Sequence, residues 1–159
     1  KVLRLLQRED VENTQRYAET ISTLQRIAES QRDVIMRAYL HVANNHAGLL
    51  EMQVQELSKI RDCITELLDS TADAFLKKQP LDEAFVEAQA RQLDELIDEF
   101  DQNQIMRIQD NTSKTRLSIL FYSFMWNSQR IAGQTLLLLK VFKDPLAHRL
   151  DDKGGRLSP

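Results

Sequence analysis

Two histidines five positions apart, His41 and His46 in the segment HVANNHAGL, are the first residues in this chain whose types and spacing could do chemistry. A zinc pair on one helix wants a spacing of four, because positions i and i+4 share a face. A spacing of five across Asn44 and Asn45 puts the two rings on either side of a helix end, so Asn44, Asn45 and His46 form the candidate functional loop. Cys63 lies among Ile60, Ile64 and Leu67 at helical spacing, which predicts a buried, unreactive thiol. Asp94, Asp98 and Asp101, with Glu95 and Glu99, make an acidic strip. Such a strip could gather Mg²⁺ or Ca²⁺ if a second helix supplied oxygens, but it suits a solvated face balanced by basic neighbours better. Asn127, Gln129 and Arg130 fall within the most apolar run of the chain and form a candidate buried polar cluster, in which Arg130 would need a carboxylate partner.

Catalysis needs a nucleophile, a base and a stabilising group brought together. The sequence has no Gly-rich phosphate loop, no paired-cysteine metal pattern and no nucleophile elbow. It is read as a chain that is not an enzyme, with no cofactor and no metal ligands. Its 21 basic residues are interleaved with 24 acidic ones and the net charge is −3, so no basic stripe is available for nucleic acid.

The elements that position these residues follow from hydropathy spacing. Only four Gly and three Pro occur, and the prolines lie between or beyond the periodic segments, which predicts long helices and an all-α fold. Residues 1–8 read as the last turns of a helix that began earlier, and with no Met before Lys1 the chain is expected to be a piece of a longer protein. A first helix is predicted over about 10–43, with Tyr17, Ile21, Leu24, Ala28, Gln31, Ile35, Ala38 and Val42 on its inner face. A second, about 50–77, turns Leu50, Val54, Leu57, Ile60, Ile64, Leu67, Thr71 and Phe75 inward. After a tight connection at Lys78-Gln79-Pro80, a third, about 81–110, buries Phe85, Leu93, Ile97, Phe100, Ile105 and Ile108.

The last helix, about 113–142 with Thr112 or Ser113 as its cap, carries Leu117, Phe121, Phe124, Ser128, Ile131, Thr135, Leu138 and Phe142 on one stripe and Leu120, Met125, Ala132, Leu136 and Leu139 on another. So wide an apolar face predicts the inner member of a bundle. Polar Asn127, Gln129, Arg130 and Gln134 at mid-span argue against a bilayer-spanning helix, since one charge at that depth costs on the order of 3 kcal/mol. Short connections predict an antiparallel up-down four-helix bundle over 9–143, and Asp144-Pro145 is read as ending it, with 144–159 as a flexible tail.

The segments HVANNHAGLLEMQVQEL (41–57) and NQIMRIQDNTSKTRLSILFYSFMWNSQRIAGQTLLLLK (103–140) resemble the PhoU-like C-terminal domain of bacterial inorganic phosphate transporters of the PiT type, the likeness running over about residues 20–143. The resemblance implies a PhoU-like regulatory bundle on the cytoplasmic face of the bacterial inner membrane. It would be attached to a membrane-embedded transporter that carries phosphate with Na⁺ or H⁺, and would pair as a homodimer. Several relatives of the PhoU kind hold metal ions through Glu or Asp with a second Asp four residues on, on facing helices. The stretch Tyr122 to Arg130 has no acid, so no metal ligand is carried over. The competing reading is a structural dimerisation or signalling module unrelated to phosphate transport, motivated by the heptad regularity of residues 17–42.

Overall fold

The computed structural model describes the backbone over residues 2–77 and 82–154, with side chains, apart from residue 83, over 14–77 and 82–141. The described residues form four helices, α1 (Val2–Ala43), α2 (Glu51–Lys77), α3 (Glu83–Gln109) and α4 (Thr115–Gly154), and contain no strand. The protein is all-helical, and its helices pack as a bundle. No helix among the described residues is long and apolar enough to cross a membrane.

Helix ends follow local chemistry. Asn45 (φ 53°) and Asn111 (φ 56°) take the left-handed backbone that stops α1 and α3. Asp82 caps α3, its carboxylate accepting from the Phe85 N–H at 3.1 Å. Two expected boundaries are absent. Nothing in KVLRLLQREDVEN breaks a helix, so residues 2–8 continue directly into α1, which runs 42 residues without a start near Glu9. Pro145 does not end α4. It deletes one backbone hydrogen bond, but Leu146, Ala147, Arg149 and Leu150 beyond it are good helix formers, and the helix runs on to Gly154 where a flexible tail was expected. The connection at Lys78-Gln79-Pro80 and the last five residues lie outside the described residues. Thr112 and Ser113 do not cap α4, which begins at Thr115: the Thr112 hydroxyl donates back to the Arg107 carbonyl at 3.1 Å, and Ser113 is used inside the bundle.

α4 is the helix that touches all three others, as its apolar width predicts, while α2 and α3 also touch each other. Phe121, fully buried, sits with Met125, Ile131, Ala132 and Leu139 against Ile60 and Leu67 of α2 and Leu93, Ile97 and Phe100 of α3. One stripe of α4 remains in solvent, marked by Ile119, Trp126, Arg130, Gly133 and Lys140.

Among the described residues the backbone of α1 comes close to α4 and to no other helix, and it does so with an unexpected face. Thr23, Ile27 and Ser30 are buried, whereas Tyr17 is 70% exposed and Val42 72%, with Ile21, Leu24 and Ile35 also in solvent. The predicted inner seam therefore lies about a quarter turn away from the buried stripe. Small hydroxyl residues let α1 approach α4, and the hydroxyls of Thr20 and Ser30 satisfy themselves on the carbonyls of Arg16 and Arg26 at 2.8 and 2.9 Å.

These positions predict a sharp contrast in denaturant titrations. Phe121→Ala should cost about 3–5 kcal/mol through the cavity it leaves, and Tyr17→Ala less than about 0.5 kcal/mol; a large loss at Tyr17 would show that the seam is covered.

Candidate functional site

The Asn44-Asn45-His46 loop folds back over the end of α1. The left-handed Asn45 turns the chain so that the His41 ring meets the Ala47 carbonyl at 2.7 Å. A carbonyl only accepts, so His41 donates to it from Nε2. The His41 and His46 rings meet edge to face with centroids 5.1 Å apart. Arg116, in the first turn of α4, brings its Nη1 to 3.2 Å from His46 Nδ1 and 3.3 Å from Nε2, and so donates to a neutral imidazole. Partial burial, then the charge of Arg116, then His41 hold the His46 pKa below the usual imidazole range. Asn44 spends its amide on the Leu40 carbonyl at 2.7 Å, closing the last turn of α1.

Behind this loop lies a buried polar network. Arg107 donates from Nη1 and Nη2 to the two oxygens of Glu56 at 3.0 and 2.7 Å, with both side chains about nine-tenths buried. Its Nε donates to Gln104 Oε1 at 2.9 Å, and the guanidinium lies over the Phe121 ring at 5.3 Å. Asn103 adds a donor to Glu56 at 3.0 Å. Gln104 also accepts from Gln53 and donates to Ser113 and Ser118, at 2.9, 3.1 and 2.9 Å. Gln53 in turn accepts the Leu50 N–H at 3.0 Å at the start of α2. Every charged group in the network has a partner, which is the condition for burying it.

The expected cluster of Asn127, Gln129 and Arg130 is not one. Asn127 is buried but turns its amide onto the Ser123 carbonyl of its own helix at 2.8 Å, and Gln129 and Arg130 are exposed, on the side of α4 that no helix covers. The buried arginine is Arg107, with Glu56 as its carboxylate. Its signal in the sequence is the helical spacing of Gln104 and Arg107 after Phe100, which continues the inward stripe of α3 with polar residues where Ile105 and Ile108 were expected.

Cys63 is buried, its thiol against the backbone and side-chain oxygens of Gln89, and burial first, then Glu66, push its pKa up. The acidic strip faces solvent at Asp94, Glu95, Asp98 and Glu99. Asp101, half-buried, accepts from Tyr122, whose pKa rises through burial and then through this carboxylate. No group of three His, Cys, Asp or Glu among the described residues could hold a metal ion.

In comparisons with family models, curated proteins and solved structures, nothing matches this chain.

The Glu56–Arg107 pair gives a stability prediction. Glu56→Gln or Arg107→Met alone should cost about 3–5 kcal/mol by stranding the other charge, whereas the double change Glu56→Leu, Arg107→Met should recover most of it. Arg61→Gln at the exposed Arg61–Asp62 pair should stay within about 0.5 kcal/mol. Urea titrations of the four variants measure this.

Proposed function

We propose that this chain is a non-catalytic regulatory and assembly domain of an inorganic phosphate transporter, held at the cytoplasmic face of a bacterial inner membrane beside the membrane-embedded part. The observation that carries the reading is where its two most similar stretches meet. Residues 41–57 and 103–140, which resemble the PhoU-like domain of PiT transporters, are far apart in sequence, yet they join at one end of the bundle. His46 meets Arg116, Gln53 meets Gln104, and Glu56 meets Arg107.

An antiparallel, PhoU-like up-down arrangement belongs to the same proposal. Glu56 pairs with Arg107 while Cys63, later in α2, pairs with Gln89, earlier in α3. Gln104 likewise pairs with Ser118, and Asp101 with the later Tyr122. Such a domain acts by favouring one state of its transporter, which requires unequal affinity for the two states. Phosphate uptake by cells carrying the full transporter, with and without residues 1–159, tests the assignment. The expected result is altered uptake or lost response to phosphate supply, and unchanged uptake and regulation would reject it.

One observation favours a second reading, a dimerisation module with no link to phosphate transport. The α1 seam Tyr17, Ile21, Leu24, Ala28, Gln31, Ile35, Ala38, Val42 has the 4-3 spacing of a coiled coil and faces outward. It borders a cleft of about 440 Å³ walled by Val34 and Ile35 of α1, Leu57 and Ile64 of α2, and Phe124 and Ile131 of α4. The occupant is a second copy of α1, because a heptad seam is complementary to itself. Light scattering should give a dimer for the wild type and a monomer for Leu24→Glu, Ile35→Glu with unchanged helix content. A wild type that stays monomeric at high micromolar concentration removes the reading.

A further inference from the structure

We propose that the cleft between the end of α1 and the start of α4 binds a small phosphate-type oxyanion, gripped by Arg37 and Arg116 with His46 as a further donor. The cleft holds about 260 Å³ and is lined by Arg37, Leu40, His41, Asn44, His46, Arg116, Ile119 and Leu120. No carboxylate is among its lining residues. Neither Arg37 nor Arg116 has a carboxylate partner among the described residues, unlike Arg107, whose charge is met by Glu56. Two arginines and two histidines thus border one cleft beside Leu40, Ile119 and Leu120, with Arg116 against His46 and the two histidine rings in contact, and no carboxylate lines it.

The kind of ligand follows from the groups. Guanidinium forks match the geometry of phosphate-type oxygens. The volume falls below the range of sites that enclose drug-sized ligands, which favours an inorganic anion or a single headgroup over a nucleotide. The donors are set in place by contacts already described. Asn45 turns His46 toward Arg116, and the Ala47 carbonyl holds the His41 ring in place beside it.

A pH signature follows. The basic residues beside His46 are Arg37 and His41 on α1 and Arg116 on α4. Burial first, then Arg116 and His41, disfavour its protonation, whereas a bound anion favours it. Anion binding therefore raises the His46 pKa, and affinity increases as pH falls through that pKa. The inference is independent of the transporter assignment, since it uses only the cleft, and uptake experiments do not bear on it.

The test is an NMR titration of the histidine ring protons in the full chain, with inorganic phosphate and with sulfate, whose charge is constant across the imidazole range. The expected result is saturable binding to both anions, a rise in the His46 pKa, and affinity weakened about tenfold or more in Arg37→Gln and in Arg116→Gln. Arg26→Gln, an exposed α1 arginine outside the cleft, should leave binding unchanged. Circular dichroism of each variant reports whether the helices persist. Co-sedimentation with phosphatidylglycerol vesicles, against phosphatidylcholine, separates the sources. Binding to vesicles that is lost in Arg37→Gln and Arg116→Gln, without binding of free anion, assigns the site to a lipid headgroup. Absence of binding in every arm, or equal weakening by Arg26→Gln, overturns the proposal.

Discussion

A guanidinium withdrawn from water sets the terms for the rest of this bundle. Arg107 sits where α2, α3 and α4 converge, and its charge must be met by groups of fixed position. Glu56 takes two of its donors, Gln104 takes a third, and the Phe121 ring lies beneath its plane. A slip of one turn, about 5.4 Å, between α2 and α3 would leave both charges stranded. Apolar contacts tolerate small shifts, but a two-pronged ion pair does not. The network therefore fixes helix register, and through Gln104 to Ser113 and Ser118 it also fixes where α4 begins. The first turn of α4 carries Arg116, so the buried pair indirectly sets the distance between Arg116 and His46.

Below that polar end the interior is conventional. Aromatic and branched residues of α2, α3 and α4 close on one another around Phe121 and Phe100, and Gln89 joins Cys63 and Glu66 of α2 with its one side chain. The division of labour is spatial: greasy packing supplies stability along the middle of the bundle, and directed hydrogen bonds supply register at its end.

The sequence made the all-helical class, the central place of α4 and the turn at Asn44-Asn45 legible, because each rests on a local rule: scarcity of Gly and Pro, width of the apolar face, tolerance of left-handed backbone. It misassigned faces where polarity and burial part company. α1 offers a clean heptad of large apolar residues, and the side that meets α4 is instead built from Thr23, Ile27 and Ser30. Hydropathy spacing reports which residues would gain from burial and is silent on which partner is present. The same limit explains Arg107 and Arg130. Both sit on helices at inward-compatible spacings, and only the position of Glu56 on a neighbouring helix decides which one is enclosed. A proline's local preference predicts a stop at Pro145, yet α4 continues through it to Gly154.

The one-sided seating of α1 has a mechanical meaning. Its 42 residues form a rod about 63 Å long, packed along one side on α4, and among the described residues its backbone comes close to no other helix before the turn at Asn44 and Asn45. A rod of that length pivoting at its foot carries its far tip about 1 Å sideways for each degree of tilt. Small rearrangements around the His46 turn would thus emerge, magnified, at the opposite extremity of the molecule.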